Sequence, residues 1–115
     1  MAINSDLFKG TLSTIILNLL GQNGRMYGYE ITQQVKAITN GDLNLKEGAL
    51  YPALHKLEAQ GLLETSSEVV DNRIRKYYEL SSHGQTAAIE KVDEAEKFIE
   101  SLQLLLNIKP SIQLT

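Results

Sequence analysis

Apolar residues recur at three- and four-residue steps in four stretches of the chain, the spacing of one helix face. Leu12, Ile15, Ile16, Leu19 and Leu20 form the first, with Asn4, Ser5 or Asp6 as caps ahead and Gly21 behind. This predicts a helix over roughly 5–20. Leu7, Phe8 and Leu17 widen its apolar surface beyond one stripe, so contact on more than one side is expected. After the turn Gln22-Asn23-Gly24-Arg25, the residues Tyr27, Ile31, Val35 and Ile38 mark a second helix that runs up to Asn40-Gly41, where Gly41 offers a left-handed stop. A third helix spans Glu47 to Gln60, with Leu50, Leu54 and Leu57 on one face and Gly61 just past its end. Pro52 lacks an N–H and clashes one turn back, so it fits only near the N-terminal turn of a helix beginning near Glu47.

Between Leu62 and Leu80 the pattern changes to two strand-like runs, 62–70 and 73–80, flanking Asp71-Asn72, a pair that tolerates the left-handed geometry of a hairpin turn. On the second run Ile74, Tyr78 and Leu80 are expected on a packed face, with Lys76 emerging at its edge, and Arg73, Arg75 and Tyr77 on the other face. From Ser81 a last helix places Ala88, Val92, Ala95, Ile99, Leu102 and Leu106 at alternating steps of four and three, with acidic residues between them. Such a stripe must be covered by the preceding body or by a second chain, and a homodimer is the economical expectation. The tail 110–115 lacks periodicity and is expected to be loose.

With 115 residues, 43% of them hydrophobic and 22% charged, the chain has material for one packed domain. The net charge of -3 excludes a uniformly basic nucleic-acid binder. Residues 1–80 hold eight Lys+Arg and nine Asp+Glu, a balance of -1, so any affinity for phosphate must be local. With no cysteine there are no disulfides, thiolate metal sites or cysteine nucleophiles, and a cytoplasmic location is the default. The apolar run 11–20 is interrupted by Ser13, Thr14 and Asn18 and is too short to span a membrane.

Three helices followed by a two-stranded hairpin give a mainly α fold with a β wing (α+β), the order of a winged helix-turn-helix with a C-terminal dimerisation helix. The expected division is a winged helix-turn-helix DNA-binding domain over 1–80, a dimerisation helix over 81–109 and the tail. Three stretches carry a more specific signal: Met26-Tyr27-Gly28-Tyr29-Glu30-Ile31; the run from Gly48-Ala49-Leu50-Tyr51-Pro52 to Gly61-Leu62-Leu63; and Arg75-Lys76-Tyr77-Tyr78-Glu79-Leu80-Ser81-Ser82-His83-Gly84. In order and nearly without gaps they resemble the PadR family of bacterial transcriptional regulators, over about residues 6–86. The resemblance implies a dimeric repressor that binds inverted-repeat double-stranded operator DNA, pairs through its first and last helices, and is released by a small hydrophobic or phenolic effector.

If Leu50, Leu54 and Leu57 face the core, then Gly48, Tyr51, Pro52 and His55 turn outward, with Lys46 at the helix N-terminus and Lys56 adding charge. Gly48 would permit close backbone approach, the helix N-terminus favours phosphate, and the Tyr51 hydroxyl can donate to phosphate or base. Arg73 and Arg75, with Lys76 beside them, are placed as a wing requires to reach phosphate or the minor groove. Ile74 interrupts their charge, whereas wings of the family commonly carry a denser glycine-arginine run.

Phe8, Leu12, Val92, Ala95, Phe98, Ile99, Leu102 and Leu106 are the expected dimer interface. A dimer built from the first and last helices could leave an apolar effector cleft among Phe8, Leu12, Ala95, Phe98, Ile99 or Leu102, although the weightier reading is that these residues simply fill the dimer core. No catalytic residue, cofactor or metal is expected. His55 and His83 lie in separate elements, and His55 with Glu58 supplies only two ligands. The alternative is a winged-helix module that docks a protein through its acidic last helix and does not bind duplex DNA.

Overall fold

The structure, a computed structural model, describes residues 8–109. Among these residues the order is α1 (Leu12–Asn23), β1 (Met26–Tyr27), α2 (Gly28–Ile38), α3 (Glu47–Ala59), β2 (Leu63–Val70), β3 (Arg73–Leu80) and α4 (Ser82–Leu106). The candidate caps Asn4, Ser5 and Asp6 and the expected loose tail 110–115 lie outside the described residues, but the helix expected over 5–20 is corrected within them: a turn at Gly10-Thr11 interrupts it, and α1 begins at Leu12 with Thr11 as N-cap.

The core forms where the four apolar patterns converge. Leu12, Ile16, Leu17, Leu19 and Leu20 of α1 meet Ile31 and Val35 of α2, Leu50, Leu54 and Leu57 of α3, and Tyr78 of β3. Several of these are wholly buried, each worth about 1.5–3 kcal/mol relative to exposure. The expected stop at Gly21 is corrected: α1 runs through it to Asn23, and Gly24 takes the positive φ of 76°. Gly21 lies against β3 instead, where an added Cβ would stand 3.4 Å from Leu80 Cδ1. Gly41 and Gly61 do take the left-handed conformation, with φ of 85° and 77°. At Gly61 the Leu62 N–H donates to the Leu57 carbonyl and the Gly61 N–H to that of Glu58, closing α3 in a Schellman motif.

The sheet has three strands in the order β1-β3-β2, all antiparallel, one more than the hairpin expected from sequence. The two-residue strand β1 pairs Met26 with Tyr78 and Tyr27 with Tyr77. Tyr27 is thus not a helical residue but the extended N-cap of α2, and its N–H donates to Glu30 Oε1 at 3.0 Å. At the other end of the hairpin, Asp71 and Asn72 take φ of 51° and 62°, the positive pair a type I′ turn requires. The packed face of β3 holds for Tyr78 and the half-buried Leu80, but Ile74 is 78% exposed. The hairpin outruns the helices beneath it, so alternation continues where there is no core left to bury into.

A small knot joins the body to α4. The Ser81 hydroxyl donates to the Gly61 carbonyl at 2.6 Å and accepts the Gly84 N–H at 3.0 Å, while the Ser81 N–H donates to the Leu62 carbonyl at 3.0 Å. Gly84 lies so close to the Leu62 backbone that a Cβ would land on that carbonyl oxygen. The near end of α4 then packs along α1, burying Ala88. Beyond Ala95 the helix leaves the body, consistent with a described chain 52 Å in its longest extent. No helix among the described residues is long and apolar enough to cross a membrane.

Candidate nucleic-acid interface

Because Leu50, Leu54 and Leu57 point inward, the remaining faces of α3 are open, and each borders a different depression. Tyr51 and His55, one turn apart with ring centroids 6.5 Å from each other, face the hairpin. Between them and the hairpin tip is a groove of about 730 Å³, also bordered by Arg73, Ile74, Arg75 and Lys76. On the other flank Gly48, Pro52 and Lys56 border a depression of about 370 Å³ shared with Lys9 and Ser13 of the chain's first segment. Lys46, the N-cap of α3, borders a third of about 300 Å³. The structure thus brings together five of the nine expected DNA-contacting residues in one groove and places three, Gly48, Pro52 and Lys56, on the other flank of the same helix, with Lys46 at its N-terminus. Gly48 has open space where a Cβ would project, so no protein atom demands a glycine there.

The groove and its border are shaped by four residues the sequence pattern did not single out as site residues. The Tyr51 hydroxyl occupies the position a Cβ at Gly28 would take, so Gly28 lets the tyrosine lie down against α2. Tyr27 and Tyr77 meet edge to face with centroids 5.6 Å apart, Arg25 stacks 4.0 Å over Tyr77, and Arg75 stacks 4.1 Å over Tyr27. The two arginines nevertheless differ in charge environment. Arg25 pairs with Glu68 at 2.7 Å, and that hydrogen bond raises its pKa above the ordinary guanidinium value. Arg75 is raised chiefly by the Tyr77 hydroxyl, and neither it nor Arg73 forms an ion pair among the described residues. Lys76 lies 3.6 Å from Glu58 and 5.3 Å from the Tyr78 ring centroid, so its charge is shared with a carboxylate. Burial pushes the Tyr78 phenol up. The groove therefore offers two guanidinium groups outside any ion pair among the described residues, with the Asp71 carboxylate acting on Arg75 from the hairpin tip and Arg75 held on an aromatic face, together with two ring side chains with polar tips.

Only the spacing Met26-Tyr27-Gly28 could have pointed to β1 and its stack, and two residues cannot display an alternation. The expected effector cleft does not assemble within one chain: Phe8 and Leu12 border the same depression as Lys46, together with Leu45 and Ala49, whereas Ala95, Phe98, Ile99 and Leu102 lie along α4. A separate cleft of about 470 Å³ runs between α1 and α4, bordered by Asn18, Gln22, Gln85, Ala88, Ile89 and Val92. Of the expected dimer residues, Leu12 is buried in the core, Phe8, Val92 and Ala95 are half-buried, and Phe98, Ile99, Leu102 and Leu106 are exposed.

Residues 16–90, which take in every element of this groove, match the Transcriptional regulator PadR-like family. The chain belongs to that family. Its fold is similar to a transcriptional regulator from Clostridium thermocellum, at a TM-score of 0.78 and 31% identity over 85% of this chain and 95% of that one. It is also similar to a PadR family transcription regulator from hypervirulent Clostridium difficile R20291, at a TM-score of 0.68 and 28% identity over 84% and 97% of the two chains. In sequence it is 35% identical over 68 residues to Transcriptional regulator Rv3488 of Mycobacterium tuberculosis, spanning 59% of this chain and 61% of the relative. The PadR-like chain is thus a winged-helix transcriptional regulator whose β2–β3 hairpin is the wing.

Proposed function

We propose that this PadR-like regulator is a homodimeric repressor that places α3 in the major groove of an inverted-repeat operator and the wing on the adjoining backbone. Lys46, Gly48, Tyr51, Pro52, His55 and Lys56 form the groove-facing surface of α3, and Arg73, Arg75 and Lys76 meet phosphate. The observation that carries this reading is the shared groove, whose lining combines Tyr51 and His55 of α3 with Arg73 and Arg75 of the wing, neither arginine in an ion pair among the described residues. The exposed residues Phe98, Ile99, Leu102 and Leu106 are the seam for a second copy, and the regulator works in the cytoplasm. A small hydrophobic or phenolic effector that releases the operator belongs to the same reading, and the mixed lining of the α1–α4 cleft supports a ligand that carries a polar group on an apolar body.

The test is fluorescence anisotropy with duplex DNA from upstream of the chain's own gene against scrambled duplex, across a salt series. Specific, salt-dependent binding is expected. Arg73→Ala or Arg75→Ala should weaken it and lower the log–log salt slope by about one unit while the dimer persists. Binding no tighter than to scrambled duplex, together with failure to select any duplex from a random-sequence pool, would instead favour a protein-docking module.

A further inference from the structure

Val69 and Ile74 are cross-strand partners one rung from the turn, so they project from the same face of the wing. They are 75% and 78% exposed, and neither belongs to the hydrophobic core. Strand propensity alone does not account for them, because threonine keeps the β-branch without presenting a second apolar tip to water. Their surroundings indicate what covers them. Ile74 borders the groove opposite Tyr51, and Arg73 and Arg75 flank it along the strand. Duplex geometry then limits the occupant. With the Tyr51 and His55 flank of α3 in a major groove about 12 Å wide, one sugar-phosphate ridge fills the space between α3 and the wing. The hairpin tip then reaches the adjoining minor groove, about 6 Å wide, whose walls are deoxyribose.

We propose that Val69 and Ile74 form an apolar prong that lies against the deoxyribose walls of that minor groove and supplies a share of affinity that does not depend on salt. The inference rests on the operator-binding reading above. It also fits the charge balance: with eight basic and nine acidic residues over 1–80, long-range attraction to a duplex is weak, so contacts that release no ions add affinity that net charge does not supply. Apolar side chains against sugars and base steps are a recognised way of holding a minor groove.

The decisive experiment compares wild type, Val69→Thr/Ile74→Thr and Arg73→Ala on a duplex that the wild-type protein selects from a random-sequence pool, with anisotropy read across a salt series and association state checked by sedimentation. The double variant, which keeps both β-branches, should bind about five- to tenfold more weakly at every salt concentration with the wild-type slope. Arg73→Ala should instead lower the slope by about one unit. Affinity of the double variant within about twofold of wild type would overturn the prong, as would a fall in its slope to match Arg73→Ala. Dissociation of the double variant's dimer would overturn it in favour of a contact between protein chains. Failure of wild type to select any duplex would overturn the operator-binding reading, and the prong with it.

Discussion

The two halves of α4 carry the same apolar stripe but differ in what becomes of it. Near its start Gly84 and Ala88 are buried against the Leu62 backbone and α1. Further along, Phe98, Ile99 and Leu106 remain 60%, 54% and 58% exposed on a helix of 25 residues. The difference lies in residue size and in what stands opposite. Glycine and alanine allow backbones to approach, so the near half closes on its own chain, whereas the large side chains of the far half extend past the body. A periodic stripe therefore specifies a surface to be covered, and not the identity of the cover.

That contrast can be broken from either side. Leu54→Ala, in the α3 core of the body on which the near half of α4 closes, should destabilise the folded chain by about 2–5 kcal/mol, read as a shift in denaturant midpoint that is the same at all protein concentrations. Loss of less than about 1 kcal/mol would show that the head is not a self-sufficient core. Ile99→Ser/Leu102→Ser, in the open part, should raise the dimer dissociation constant by about a hundredfold in sedimentation equilibrium. An unchanged association state would remove the outer half of α4 from the seam. Gly84→Ala should cost about 1–3 kcal/mol, because the new methyl meets a backbone carbonyl that cannot rotate aside as a side chain would. Wild-type stability in this variant would mean that the two halves are not separated by a tight joint.

The smallest expected effect concerns the buried phenol beneath the groove. Burial raises Tyr78 above the usual value of 10.0, so below that pH the group is protonated in folded and unfolded chains alike and its contribution is constant. As pH rises past 10.0 the unfolded chain releases the proton first, and stability falls until the raised folded pKa is passed. Tyr78→Phe should remove this part of the alkaline decline, giving a shallower stability curve than wild type on the alkaline side of 10.0 and a parallel one on the acid side. Parallel curves throughout would show that the phenol's environment does not differ between the two states.

Much of this architecture is legible from local spacing. The leucines of α3, the positive-φ stops at Gly41 and Gly61 and the turn at Asp71-Asn72 answer to constraints acting within a few residues, and the structure shows them where that spacing places them. Tyr51, His55, Arg73 and Arg75 were also readable as outward-facing, since each follows from the period of its own element. Arg25, Tyr27 and Gly28 were not, because their roles arise across the sheet: Tyr27 meets Tyr77, Arg25 meets Glu68, and Gly28 makes room for Tyr51. Gly21 misled for the same reason. A glycine reads as a helix stop, and only the approach of Leu80 shows that it serves packing.

What the sequence determined by itself is the set of elements, the face each must bury, and membership of a family whose motifs run through those faces. Tertiary structure alone decided coverage. Ile74 and Tyr78 occupy the same face of one strand, yet one is 78% and the other 2% exposed. The backbone period that sets a side chain's direction is local, but its burial depends on where the neighbouring element ends, and no run of consecutive residues encodes that distance.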